Sequence, residues 1–234
     1  MANFLRMILG VALLPMCWGA VRAFADSVMA AAGAADGVTA ESVALVGGMV
    51  AFALCWMLVP HPVKTYVLGH ELTHAVWGLL FGAVPSKLRV SASGGSVNLT
   101  KSNMLITLAP YFFPFYTFVV VVVALVTFAF IRPLPWLPLW MFMVGFTWAF
   151  HVLFTLETLA QRQPDVKLYG RVFSWTFIFL ANVALVLLFL AAVTPLSFAS
   201  LGGFLAGRVC DAYAGVVCAA VAAFNWIASL CSRT

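Results

Sequence analysis

Long runs without a charged residue dominate this sequence. Residues 43–59, 104–131, 172–193 and 212–231 contain no Asp, Glu, Lys or Arg, and each reaches or approaches the ~20 apolar residues that cross the hydrocarbon of a bilayer. A backbone in hydrocarbon must satisfy its own hydrogen bonds, which leaves helices or closed barrels. These runs are continuous rather than alternating, so helices are expected. The whole chain is 65% hydrophobic and 8% charged, against about 25% charged in a soluble domain. Its 234 residues leave room for six or seven crossings with short connections. The expected fold is an all-α polytopic membrane protein with six or seven transmembrane helices, forming a single integral domain over 1–234. Within it, 1–32 is an N-terminal span or signal segment, 43–194 the core and 201–234 a C-terminal helix.

The formal charge of +5 comes from bases placed singly at segment ends, where lipid and topology account for them. Nucleic acid is therefore excluded as a partner, and the lipid bilayer is the expected surroundings. Arg6 precedes an apolar run, and Ala23-Phe24-Ala25 before Asp26 resembles a signal-peptidase site. An uncleaved helix is favoured because Arg22 and Asp26 are spaced to pair along it. Asp36 and Glu41 with no base between them suit an external loop, and Gly47-Gly48 suits close helix packing. Cys17, Cys55, Cys210, Cys218 and Cys231 lie apart in apolar segments and read as small buried hydrophobes, not as a disulfide framework.

Against this background the stretch 66–82 is costly. It places His70, Glu71 and His74 in the order H-E-x-x-H inside an apolar run. On a helix the two imidazoles lie one turn apart on one face, the spacing of a zinc grip. Glu71, about 100° round the helix from His70, is set to reach a water on the metal, as a general base does. Two histidines require at least one further protein ligand, with a fourth position left for water. Peptide-bond hydrolysis is the chemistry this implies, with one Zn2+ per chain.

Two further stretches depart from plain hydropathy. In 87–100, Leu88, Val90 and Ala92 alternate with polar neighbours, as do Val97 and Leu99, and Gly94-Gly95 lies between the runs, so a β-hairpin is expected. Its edge cannot face lipid, so it must be embedded in protein or lie at the interface, with Lys87, Arg89 and Lys101 as interfacial anchors. It either plugs the bundle or offers a strand edge to an unwound peptide. The segment 136–160 carries His151, Thr155, Glu157 and Thr158 near its end, before Gln161-Arg162-Gln163-Pro164-Asp165 interrupts the run. Ionisable groups at that depth call for a partner, a cavity or a metal. Asn182 is the one strongly polar residue inside 172–193; it either orients substrate or makes an interhelical hydrogen bond.

The sequence 70–82, His-Glu-Leu-Thr-His-Ala-Val-Trp-Gly-Leu-Leu-Phe-Gly, together with Gly94-Gly95-Ser96-Val97 and Leu108-Ala109-Pro110, resembles the site-2 protease family of intramembrane zinc metalloproteases. The resemblance covers residues 66–114; elsewhere it lies in hydropathy. It implies an endopeptidase of a bacterial inner membrane that cleaves a transmembrane protein substrate, with a third zinc ligand from an aspartate in a later, unwound segment. The matching position is Asp165 beside Pro164, although the usual adjacent glycine is absent. Glu157 is the alternative ligand, and His151 a further ligand, a group supporting one or a group stabilising an oxyanion.

A count of complete spans from Lys64 onward places the Asp165 loop on the membrane face opposite Lys64, whereas one ion needs His70 and Asp165 together. Either the helix after Lys64 starts deeper, or the segment before Asp165 is broken. Two rival readings stand beside the protease: an inactive metal-binding scaffold or chaperone, and a small proton or metal transporter. A transporter requires a polar stripe through several helices, and the polar groups here are concentrated in two segments.

Overall fold

The computed structural model describes residues 2–34, 39–133, 135–161 and 163–231. Asp36 and Arg162 lie outside the described residues. The chain divides into two compact units, Val38–Leu168 and a second made of Met1–Gly37 with Tyr169–Thr234. In chain order the helices of the first stretch are α1 (Ala2–Ala12) and α2 (Leu14–Ala34). The central unit holds α3 (Ala40–Leu58), α4 (Val63–Leu80), strands β1 (Pro85–Ser91) and β2 (Gly94–Leu99), α5 (Met104–Leu108), α6 (Phe115–Phe130), α7 (Leu137–Ala160) and α8 (Pro164–Leu168). Helices α9 (Arg171–Val193) and α10 (Phe198–Cys231) complete the chain.

Five helical stretches among the described residues are long and apolar enough to cross a membrane, or six if one bent pair counts as a span. The chain thus has the make-up of an all-α membrane protein with a small two-stranded sheet. Helix α4 is not among the five, because Lys64, His70, Glu71, Thr73 and His74 dilute its apolar character. The terminal stretch α1–α2 counts as one span, Asn3–Ala34. Hydrogen bonds from Leu13 N–H to the Leu9 carbonyl and from Cys17 N–H to the Leu13 carbonyl carry the helix across the junction.

In the central unit α3 opens on a capping box, the Thr39 hydroxyl accepting from the Ser42 amide while the Ser42 hydroxyl accepts from the Thr39 amide. Helices α3 and α7 approach closely at two glycines. A Cβ on Gly48 would collide with the Phe142 carbonyl, and one on Gly145 with the Leu45 carbonyl. Gly47, the other half of the expected pair, faces open space. This contact feeds an aromatic core of Phe52, Tyr66, Phe150 and Phe154. The Tyr66 ring stacks on Phe154 with centroids 4.7 Å apart, which anchors the start of α4 against α7.

The expected continuous span over 104–131 is instead bent by 86° between Met104–Tyr111 and Phe115–Phe130. Pro110 sits in a 3-10 turn (Ala109–Tyr111) and Pro114 immediately precedes α6. Each proline removes a backbone donor and disfavours helical geometry in the residue before it. Helix α7, by contrast, runs unbroken for 24 residues, so the segment before Asp165 is not the broken one. The chain interrupts only after Ala160, and Pro164 opens the short α8.

The hairpin is antiparallel, with Ser91 paired to Gly94. Its turn is therefore Ala92-Ser93, one pair earlier than the glycines suggest; Gly94, at φ 139°, begins the return strand. A register irregularity between Ser86 and Arg89 coincides with Lys87 at φ 51°. The Leu99 side chain lies over Gly78, so the base of β2 packs on α4.

In the terminal unit α2 and α10 meet at Gly19, where a Cβ would press on the Val209 backbone. Asp26 is held by Arg208 through Nε at 2.5 Å and Nη2 at 3.2 Å. Its direct partner is thus a residue 182 positions away, not the Arg22 one turn earlier on its own helix. No disulfide joins the five cysteines, and Cys55, Cys210, Cys218 and Cys231 are exposed rather than buried.

Candidate metal centre

Helix α4 presents His70 and His74 on one face, their rings 4.9 Å apart and nearly perpendicular. Asp165, at the start of α8, reaches the same point: its Oδ2 lies 3.7 Å from His70 Nε2 and 3.5 Å from His74 Nε2. One donor atom from each of the three lies within 4.8 Å of the others, a group able to hold a metal ion.

The surroundings fit that use. His74 Nδ1 donates to the Ile106 carbonyl at 2.9 Å, which turns Nε2 toward Asp165, the arrangement by which a backbone carbonyl orients a ligating imidazole. The Tyr111 hydroxyl donates to Asp165 Oδ2 at 3.2 Å. Burial would raise the Asp165 carboxyl, but hydrogen bonds and charge from His70 and His74 hold it well below the usual carboxylate range, so it is an anion at any physiological pH. Two imidazoles and a carboxylate are a borderline donor set suited to zinc.

Glu71 is buried at 7% exposure and lies against the hairpin. A Cβ on Gly95 would stand 2.7 Å from its Cγ and 2.9 Å from its Oε1. The three candidate ligands and Glu71 open on one cavity of about 870 Å3. Helix α4 forms one wall, the end of α7 and α8 another, and hairpin residues Ser93 to Val97 a third.

The remaining residues singled out from sequence are placed elsewhere. Glu157 lines the cavity but faces His61, 3.8 Å from its Nδ1, and it is not in the cluster. Two residues after the last buried position of α7, Thr155, it is directed to the Pro60-His61-Pro62 corner, where the His61 ring stacks on Trp56 at 3.7 Å. His151 is buried on α7 and borders a separate void of about 20 Å3 that His70 also lines. Asn182 belongs to the terminal unit and donates through Nδ2 to the Ile178 carbonyl of its own helix.

No protein family, curated protein or solved structure matches this chain. The site thus stands on its own residues. Sequence reading passed over the Ile106 carbonyl, Tyr111 and the tight approach of Gly95. The first is a backbone atom with no residue-type signal. Tyr111 is one aromatic among many, though its place after Leu108-Ala109-Pro110 marks a break at which a side chain can be aimed.

Proposed function

We propose that the protein is a zinc-dependent intramembrane endopeptidase similar to the site-2 proteases, acting in a bacterial inner membrane on the transmembrane helix of another protein. The observation that carries this reading is the convergence of His70, His74 and Asp165 within 4.8 Å, beside Glu71 on one shared cavity. Neighbouring ionisable groups are rare in a chain this apolar, and burying them is costly without a function. The intact Glu71 favours an enzyme over an inactive scaffold. Confinement of the polar groups to one local cluster favours it over a transport path.

His70, His74 and Asp165 hold the zinc. When bound, it supplies a Lewis acid that acidifies water and polarises a carbonyl. Glu71 takes the proton from the attacking water and later delivers it to the leaving amine. Its burial against β2 holds its side chain beside the cavity it lines. Hairpin residues Ser93 to Val97 line the cavity and belong to a two-stranded sheet, to which an unwound peptide can add by backbone hydrogen bonding. A helical substrate must open in this way before its scissile bond is accessible.

The test measures zinc in the purified protein together with cleavage of a reporter transmembrane substrate. Asp165→Ala is expected to lose zinc and activity, Glu157→Ala to keep zinc, and Glu71→Gln to keep zinc while losing cleavage. Full zinc in Asp165→Ala with loss in Glu157→Ala would refute the ligand set. Undiminished cleavage by Glu71→Gln would refute the mechanism.

A further inference from the structure

The stretch 106–111 supports the candidate centre from behind. Its first residue offers the carbonyl that takes the His74 Nδ1–H. Its last, Tyr111, is fully buried, at 0% exposure. The Tyr111 ring meets the His70 imidazole edge to face, 5.3 Å away at 86°, and its hydroxyl donates to Asp165 Oδ2. That oxygen is the one standing between the two histidine Nε2 atoms. Tyr111 does not line the large cavity, so anything it does for a reaction there must pass through Asp165 or His70.

We propose that Tyr111 is a positioning residue for the metal: its hydroxyl fixes the rotamer of Asp165 so that Oδ2 is presented to the ion before the ion arrives. This rests on the zinc reading above. Asp165 needs such a hold because it sits on a five-residue helix just past the end of α7, with no long helix to orient it. An aspartate free to rotate loses side-chain entropy on ligation and weakens the site. A hydrogen bond to the ligating oxygen removes that cost and leaves a second lone pair for the metal. A merely structural tyrosine also seeks an acceptor when buried, so the two roles must be separated by measurement.

The experiment uses the full chain in detergent, stripped of metal and titrated with Zn2+ against a competing chelator. Tyr111→Phe keeps the ring against His70 and removes the hydroxyl. The expected result is zinc affinity weaker by about 10- to 100-fold, an altered visible spectrum of the Co2+-substituted protein, and a melting profile of the metal-free protein like that of wild type. Affinity and Co2+ spectrum equal to wild type would overturn the proposal. Should Tyr111→Phe fail to fold, 3-fluorotyrosine at position 111 serves instead. Its 19F resonance is expected to move on saturation with Zn2+, and not in an Asp165→Ala background; a resonance indifferent to zinc would overturn the proposal. Wild-type protein that takes up no zinc overturns this assignment and the peptidase reading together. Zinc uptake without cleavage of the reporter substrate overturns the peptidase reading alone.

Discussion

Gly95 connects the hairpin to the proposed base, and Gly95→Ala tests that connection. A Cβ at this position would lie 2.6 Å from Val67 Cγ1, 2.7 Å from Glu71 Cγ and 2.9 Å from Glu71 Oε1. Carbon contacts settle at about 3.5–4.0 Å, so something must yield by roughly 1 Å. Val67 is β-branched and stiff in a helix, which leaves the Glu71 side chain or strand β2 to move. Motion of the side chain shifts the carboxylate relative to the ligands by a comparable distance, and motion of β2 removes the wall that holds it. Misplacement of a reacting group by about 1 Å costs on the order of 100-fold in rate, or about 2.7 kcal/mol of barrier. His70, His74 and Asp165 are not among the atoms nearest Gly95, so zinc content should be unchanged. Kinetics on the reporter substrate beside metal analysis decide the matter: kcat down about 100-fold with one zinc retained is expected. Gly94→Ala is the comparison, since Gly94 has the unusual φ but nothing within 4 Å; it strains the turn without touching Glu71. Wild-type kcat in Gly95→Ala, or loss of zinc in step with loss of activity, would refute the reasoning.

Asn103 caps α5 by accepting from the Ile106 amide at 2.9 Å, and the Ile106 carbonyl orients His74. Asn103→Ala should therefore cost about 1 kcal/mol in chemical unfolding and also weaken zinc binding in chelator competition; unaltered zinc affinity would mean that the cap and the ligand are independent. Gly145→Ala sets a Cβ against the Leu45 carbonyl and 3.2 Å from the Met49 amide nitrogen, backbone atoms that cannot rotate away, so a loss of about 1–3 kcal/mol is expected in the same assay. Gly47→Ala, with nothing within 4 Å, should instead be neutral or stabilise by up to about 1 kcal/mol through helix propensity. Zinc affinity should fall as the pH drops through the range in which histidine takes up a proton, because both imidazoles must lose their protons to ligate. Asp165, held below the usual carboxylate range, stays ionised throughout that window and adds nothing to the slope. Zinc affinity that rises on acidification would exclude the two-histidine site.

Much of the fold is written locally. The charge-free runs specify helices of membrane length, and all but one of those runs form continuous helices. The alternation around Leu88, Val90, Val97 and Leu99 specifies a hairpin, and Pro164 marks where the chain re-enters helix after α7. The bend at 109–114 is not legible in the sequence, because hydropathy continues smoothly across Pro110 and Pro114, and a proline in an apolar segment is compatible with a kinked span or with two separate helices. The i, i+4 spacing of Arg22 and Asp26 suggested a pair, but spacing on one helix says nothing of a competitor such as Arg208 arriving from another. Glu157 lies at the same end of α7 as the interruption before Asp165, and sequence distance did not separate them as ligands. Their directions do, one toward His61 and the other toward His70 and His74.

The sequence by itself determined that this chain is helical and apolar enough for a bilayer, and that His70, Glu71 and His74 ride one helix with the two imidazoles on a common face. Both follow from interactions within a few residues, which 3.6-residue periodicity and solvent preference control. Only the tertiary structure decided that Asp165 meets those imidazoles, that Ile106 and Tyr111 stand behind them, and that the hairpin presses Gly95 onto Glu71. Those encounters depend on where a proline-broken segment turns and how closely α3 and α7 approach. They are sums over packing contacts between residues distant along the chain, and no local pattern carries them.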